Sequence, residues 1–534
     1  MRRWRPSSLF TVRSSLAALG AGLFVAPGLA PLAADAAEID APSLYAQKCA
    51  SCHGADRLGG MGPALLPENL GRLKPDQAKA VIAQGRPATQ MPGFGESLSP
   101  DEIAALAAYI VTPLPDVPRW GKAEIEASRQ LPVAPEALPD QPAHGADLMN
   151  LFVVVEAGDH HVTILDGDRF EPIARFPSRF ALHGGPKFSP DGRFVHFVSR
   201  DGWVTRYDLW SLQVVAEVRA GINSRNIAIS HDGNYLAVAN YLPHTLVILD
   251  APTLTPLGVL EVKDIWKKKS SRVSAVYQAP TRQSFVVALK DLPEVWEVAY
   301  SDPPPKIFGF VHSHEKGMEE SLAKPDRFPI RRTEVEQPLD DFFFDPSYAY
   351  VIGASRDGKK AVVVNLDVRR PIKELPLPGL PHLGSGISWE YQGRRVMATP
   401  HLQEAALSVI DMKSWQIVKR IETLGPGFFL RGHERTPYVW LDAMLGPRKD
   451  TMQILDKRSL EIVRTLTPEP GKTAAHIEFT RDGRHAVLSI MEDDGALIVY
   501  DAATLEEVKR LPARKPIGKY NVWNKITFSE GTSH

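Results

Sequence analysis

This 534-residue chain contains only two cysteines, two residues apart and followed directly by a histidine: Cys49-Ala50-Ser51-Cys52-His53. Thiols at that spacing add to the two vinyl groups of a haem while the adjoining imidazole reaches its iron from one face, so one short turn supplies both attachment and ligation. A thioredoxin-like dithiol shares the spacing, but no βαβ pattern surrounds the motif and His53 would have no role in it. A thioether on the iron's other face raises the potential and suits electron transfer. The candidates are Met91, in Gln90-Met91-Pro92, and Met61, in Gly60-Met61-Gly62.

The elements that must hold this motif read as a small all-α domain over residues 37–112, a cytochrome c domain on the strength of its motif. Leu44-Tyr45-Ala46 leads in as a first helix, and 54–63 read as loop. Ser99-Pro100-Asp101-Glu102 is a capping box with proline at the first helical position, opening an apolar stripe of Ile103, Leu106, Ala107, Tyr109 and Ile110. Ahead of the domain, Arg2, Arg3, Arg5 and Arg13 precede an apolar stretch that ends in Ala34-Asp35-Ala36. Residues 1–36 are therefore expected to be a signal peptide cleaved near Ala36, delivering a soluble protein to the periplasm. Pro27 and Pro31 interrupt the stretch, which argues against a membrane anchor. Hydrophobic residues make up 44% of the chain and charged residues 23%, the balance of a globular protein. Lysine plus arginine (62) nearly cancels aspartate plus glutamate (63), which removes any bulk electrostatic case for a nucleic-acid partner.

A proline-rich linker is expected over 113–147, and a repeat follows it. An apolar strand, an Asp-Gly turn, an alternating strand and an Ile-x-Asp-like ending recur roughly every 40 to 50 residues. One copy runs from Lys187 through Asp191-Gly192 to Asp208, the next from Ile229 through Asp232-Gly233 to Asp250, and others begin near Phe342, Ile387 and Phe479. Asp-Gly supplies the positive φ angles of tight hairpins, and β-branched alternation suits strands with one buried face. Residues 148–534 thus read as an all-β eight-bladed propeller, closed by a strand from the stretch 520–528, with a central funnel wide enough for a flat ligand. His312 and His314 fall in a charged insertion that reads as solvent loop.

Several landmarks carry a resemblance: Leu182-His183, Ser199-Arg200-Asp201-Gly202, Asp208-Leu209-Trp210, Gly221-Ile222-Asn223-Ser224-Arg225 and Pro516-Ile517-Gly518-Lys519-Tyr520-Asn521. With these, nearly the whole mature chain resembles the cytochromes whose propeller binds a non-covalent haem d1. These are the cytochrome cd1 nitrite reductases and the dihydro-haem d1 dehydrogenases of haem d1 biosynthesis. The Met-Pro pair before a capped helix resembles small bacterial cytochromes c and favours Met91 over Met61.

The resemblance implies His183 as proximal ligand of the d1 iron, His382 as distal ligand with His401 as fallback, and His476 with Tyr520 as catalytic pair. Haem d1 carries several carboxylates, so Arg200, Arg225 and Arg272 are the arginines expected to receive them. The reductases look to have two distal histidines as proton donors; one of those positions is Asp340 here and the other lies near His401. A carboxylate beside a nitrite anion would repel it, so the resemblance favours the dehydrogenase over nitrite reduction and over a non-enzymatic d1 carrier. The implied partners are the tetrapyrrole, a periplasmic electron acceptor, other haem d1 biosynthesis proteins and nitrite reductase.

Overall fold

The computed structural model describes residues 39–60, 62–70, 73–85, 91–182, 184–305, 327–528 and 530–531. The N-terminal part is helical: α1 (Ala41–Lys48), α2 (Ala50–His53), α3 (Pro67–Leu70), α4 (Pro75–Gln84) and α5 (Pro100–Tyr109). The start of α5 is set by its capping box: the Glu102 N–H donates to Ser99 Oγ at 3.2 Å and the Ser99 N–H donates to Glu102 Oε2 at 2.7 Å. Its stripe of Ile103, Leu106 and Ala107 packs with Tyr45, Ala78 and Ile82 in a small apolar core.

From Leu151 onward the chain forms eight four-stranded antiparallel sheets. They are numbered here as blades 1 to 8 in the order in which their first strands occur. The Asp-Gly turns adopt the geometry their residues favour: Gly192, Gly233 and Gly483 have φ of 76°, 75° and 71°. Where the third strand of a blade ends in aspartate, that carboxylate accepts backbone N–H groups of the following turn, as Asp208 does from Trp210 at 3.1 Å and Asp411 from Ser414 at 2.7 Å. The expectation of one buried face per strand fails for the middle strands. Leu151–Glu156, Ser284–Leu289 and Glu294–Ala299 are buried throughout, because blades stack face to face and both faces of a middle strand meet apolar neighbours. Each core cluster accordingly draws on adjacent blades; one joins Ala237 and Ile248 of blade 3 to Phe285 and Trp296 of blade 4.

The ring is closed from the C-terminus, but by an earlier stretch than 520–528. Pro516–Asn521 pairs with Leu151–Glu156 as the innermost strand of blade 1, and the chain then turns helical as α7 (Val522–Thr527). Asn521 stops the strand by capping: its Oδ1 accepts from the Asn524 N–H at 3.3 Å. No helix among the described residues is long and apolar enough to cross a membrane.

The linker is not wholly extended. It carries α6 (Lys122–Ser128), whose Ile125 is fully buried among Val204, Val218 and Val247 of blades 2 and 3. Arg219 fastens the parts together. Its Nη2 donates to the Leu58 carbonyl of the helical domain at 2.6 Å and its Nε to the Asp201 carbonyl at 3.0 Å, while its guanidinium lies 4.7 Å from the Trp120 ring of the linker. Trp120 returns a hydrogen bond to the Arg219 carbonyl at 2.8 Å, and Ala64 and Leu66 pack on Ile222 and Leu242. Arg219→Ala removes hydrogen bonds from a charged donor, each of about 1.5–3 kcal/mol. The expected outcome is a folded propeller with a loosened helical domain, read as faster proteolytic cleavage within residues 112–121.

Candidate functional site

Helix α2 presents Cys49 and Cys52, unbonded to each other and half-buried, with His53 at its end. His53 Nδ1 lies 2.8 Å from the Pro63 carbonyl oxygen; a carbonyl only accepts, so Nδ1 carries the proton and Nε2 keeps its lone pair for a metal. Burial lowers the imidazole's pKa, opposed by that hydrogen bond, which favours the neutral ligating form. Gly62 is required here, since a Cβ would fall 2.7 Å from the His53 ring. This donor set fits a covalently held haem. Met91 lies on the loop between α4 and α5, half-buried; Met61 lies outside the described residues.

The second candidate site is the funnel of the propeller. Inner strands are mostly buried, so the half-buried polar residues that interrupt them mark what faces the axis: Arg225 in blade 3, Tyr277 in blade 4, Asp340 in blade 5 and Tyr520 in blade 1. His382 sits on the approach to the inner strand of blade 6 and His476 within that of blade 8. His183, as well as His312 and His314, lies outside the described residues. Arg200 stands on the blade 2 turn whose N–H donates to the Ala181 carbonyl at 3.0 Å and whose carbonyl accepts from Ser224, the neighbour of Arg225, at 3.3 Å.

One wall of the funnel is a line of rings. His382 and Phe428 are 4.1 Å apart, Phe428 and Phe429 4.7 Å, Phe429 and His476 4.6 Å, and His476 and Tyr520 5.3 Å. His382 Nδ1 lies 2.7 Å from the Phe428 carbonyl oxygen, the arrangement of His53 over again, so Nε2 is its available nitrogen. His401 differs. Fully buried, it donates from Nδ1 to the Pro378 carbonyl at 2.6 Å and accepts at Nε2 from Ser408 Oγ at 2.8 Å. Both nitrogens are occupied, which corrects its place as fallback ligand: it is a core histidine.

His476 has a φ of 52°, and among the described non-glycine residues with positive φ it is the one inside a strand, at a bulge between Ala475 and Ile477. Its ring is buried, and neither nitrogen has a hydrogen-bond partner from another described residue. Burial, then the neighbouring Lys519, Arg431 and Lys525 side chains, hold its pKa far below the usual histidine value, so the imidazole is neutral. Burial pushes the Tyr520 hydroxyl up to about 12.

The opposite wall is ionic. Lys290 Nζ pairs with Asp340 at 2.9 Å, and Arg272 holds Asp291 through two contacts of 2.6 and 2.8 Å, with Arg356 on the same carboxylate at 3.1 Å. The Arg272 fork is therefore already engaged by protein. Burial raises Asp340, but Lys290 and Arg225 outweigh it and keep the carboxylate ionised. Asp341, which sequence reasoning missed, accepts from Tyr277 Oη at 2.9 Å, and its pKa is raised by burial despite His382 and Arg225. Lys519, also missed, donates from a fully buried amine to the His476 carbonyl and to Ser489 Oγ. Together the walls offer a neutral imidazole, a protonated phenol and cations for an acidic, flat guest.

The family described as Cytochrome D1 heme domain matches residues 146–525, and the one described as cytochrome C oxidase, cbb3-type, subunit III, matches 36–110. The chain is 54% identical to a dihydro-heme d1 dehydrogenase of Pseudomonas aeruginosa, over 94% of this chain and 97% of that one. It is 26% identical to a nitrite reductase of Stutzerimonas stutzeri, over 95% and 96%. A solved structure of dihydro-heme d1 dehydrogenase NirN in complex with DHE superposes with a TM-score of 0.84 at 54% identity, over 91% of this chain and 99% of that one.

Tyr277→Phe leaves the buried Asp341 short of a donor. The expected cost is about 1–2 kcal/mol of stability, measured by urea unfolding.

Proposed function

Because the chain belongs to the cytochrome D1 heme domain family, we propose that it is a dihydro-haem d1 dehydrogenase: an oxidoreductase that removes two hydrogens from a propionate arm of its tetrapyrrole substrate and leaves the acrylate of haem d1. The observation that carries this reading within the funnel is the neutral His476, at a bulge of its strand, with both nitrogens uncommitted and Tyr520 beside it.

In this reading Cys49 and Cys52 would tether a haem c, and His53 Nε2 and Met91 would hold its iron. When bound, that haem would supply the one-electron redox chemistry that a two-electron dehydrogenation needs. His382 Nε2 and His183 bracket the iron of the substrate. Arg200 and Arg225 receive its carboxylates, and Arg272 contributes only by sharing with Asp291. His476 removes the proton from the carbon next to the carboxylate. Arg431, which depresses its basicity, also stabilises negative charge developing on that carboxylate, and an arriving anion raises the imidazole's proton affinity in turn. Tyr520 stays protonated and donates its hydrogen bond. The remaining features of the reading are export by residues 1–36 to the periplasm and encounters there with other haem d1 biosynthesis proteins and nitrite reductase.

Nitrite reduction fits less well. Asp340 is held ionised by Lys290 and so is a poor proton donor, and His401 has no nitrogen to offer.

Incubating the protein with dihydro-haem d1 should convert the visible spectrum to that of the acrylate form. An intact covalent haem with no conversion rejects the reading, and tight binding alone would leave a carrier. His476→Ala should bind the substrate within about twofold of wild type and convert it on the order of 100-fold more slowly. The low pKa of His476 keeps the base form populated as pH falls. Conversion should hold its rate from pH 7 to 6, where an exposed histidine of pKa about 6.5 would be roughly three-quarters protonated. Gly62→Ala should tilt the His53 ring off the Pro63 carbonyl and shift the visible bands of the covalent haem without preventing its attachment.

A further inference from the structure

Turning –CH2–CH2– into –CH=CH– breaks two C–H bonds and releases two electrons and two protons. On the reading above, the one-electron chemistry of the haem that Cys49 and Cys52 would hold accounts for the electrons. A proton taken by His476 has no direct exit: the ring is 1% exposed and lies between Phe429 and Tyr520, with Lys519 on its carbonyl.

The far side of Tyr520 is different. Lys525 of α7 places its Nζ 5.6 Å from the centre of the Tyr520 ring, and it also lines a cavity of about 160 Å3 bounded by Lys187, Tyr277 and Gln278. That volume has room for several waters. The cavity also reaches Pro190, His231 and Phe528, which are exposed, so it opens to solvent at the end of the ring opposite the His382 approach. Helix α7 is fixed there by Asn524, whose Nδ2 donates to Glu478 Oε1 at 3.0 Å and to the Phe479 carbonyl at 2.9 Å.

We infer that Lys525 receives the proton released by the His476–Tyr520 pair and delivers it to the water of this cavity, making the underside of the propeller the proton exit of the dehydrogenation. Each of the two protons passes in turn from the His476 imidazolium by way of the Tyr520 hydroxyl to the Lys525 amine in its unprotonated form, and from the resulting ammonium to cavity water. No electron travels this way, and each group returns to its starting state. The inference rests on the dehydrogenase reading and adds a residue and a route to it.

The groups facing Lys525 suit an acceptor. Arg431 from blade 7 and Lys187 from blade 2 oppose a further positive charge, and Glu478 from blade 8 favours one. Burial leads the balance, and the amine is held well below the usual lysine value. Lys187, on the cavity wall, is itself brought down to about 8 by burial, Arg431 adding to the effect and Asp341 opposing it. Lys187 is thus a further proton-exchanging group on the wall of the exit cavity.

The test uses the full chain with its covalent haem and dihydro-haem d1 as substrate, comparing wild type with Lys525→Met and Lys525→Arg in single turnovers in H2O and D2O. Binding, followed by absorbance titration, should stay within about twofold for both variants. Conversion should fall at least tenfold in both, with a larger solvent isotope effect, because arginine keeps the charge but does not give up its proton near neutral pH. Methylamine, small enough for the cavity, should restore Lys525→Met in proportion to its neutral fraction and leave His476→Ala unrescued. A Lys525→Arg protein at wild-type rate would assign Lys525 a purely electrostatic role and overturn the inference. So would an unimpaired Lys525→Met, or two slow variants that amine does not rescue. Failure of wild type itself to convert the substrate would instead reject the dehydrogenase reading.

Discussion

Everything in the funnel depends on one pairing, that of Pro516–Asn521 with Leu151–Glu156. The register places Tyr520 opposite Val153 and Lys519 opposite Val154. An open ring would leave two exposed strand edges; closure removes them and makes the last strand of the chain the innermost of the first blade. It also carries Tyr520 to the His476 ring and the Lys519 amine to the His476 carbonyl. The same backbone hydrogen bonds therefore stabilise the propeller and bring Tyr520 and Lys519 to His476. The left-handed conformation at His476 persists because its neighbours on both sides hold it: the blade 8 ladder before and after the bulge, and the buried Lys519 amine on its carbonyl.

The two walls of the funnel divide the work of holding a flat, acidic molecule. Rings on one side supply contact area and nitrogen donors, and ion pairs on the other supply countercharge that is already partly neutralised. Arg272 and Lys290 are each matched to a carboxylate, so their charges on this wall are compensated within the protein. The price is that some of that charge is shared when a guest arrives. His53 and His382, on separate domains, follow one rule: an Nδ1–H tied to a backbone carbonyl fixes the tautomer and the aim of Nε2.

What could be read from the sequence was what is local. Cys49, Cys52 and His53 declare themselves within five residues, and Ser99 and Glu102 within four. The blades were legible because each repeats the same turn chemistry. The stretch after Asn521 was misread as strand because Val522, Trp523, Ile526 and Thr527 have strand-like side chains, while the capping by Asn521 and the docking of Asn524 on Glu478 favour a helix. His476 and His382 were legible only through resemblance. Nothing near them in the chain separates them from His401, whose occupied nitrogens appear only once Pro378 and Ser408 are placed. Asp341, Lys519 and Lys525 carry meaning only when inner strands far apart in sequence become neighbours around an axis.

The Arg219 fastening bears on kinetics. Its contacts with Leu58, Asp201 and Trp120 join helical domain, linker and propeller into one body. An electron crossing between the domains would then tunnel over a set separation rather than wait for a tethered carrier to diffuse into place. Solvent viscosity would have little hold on that step, and its speed would follow the difference in reduction potential between donor and acceptor.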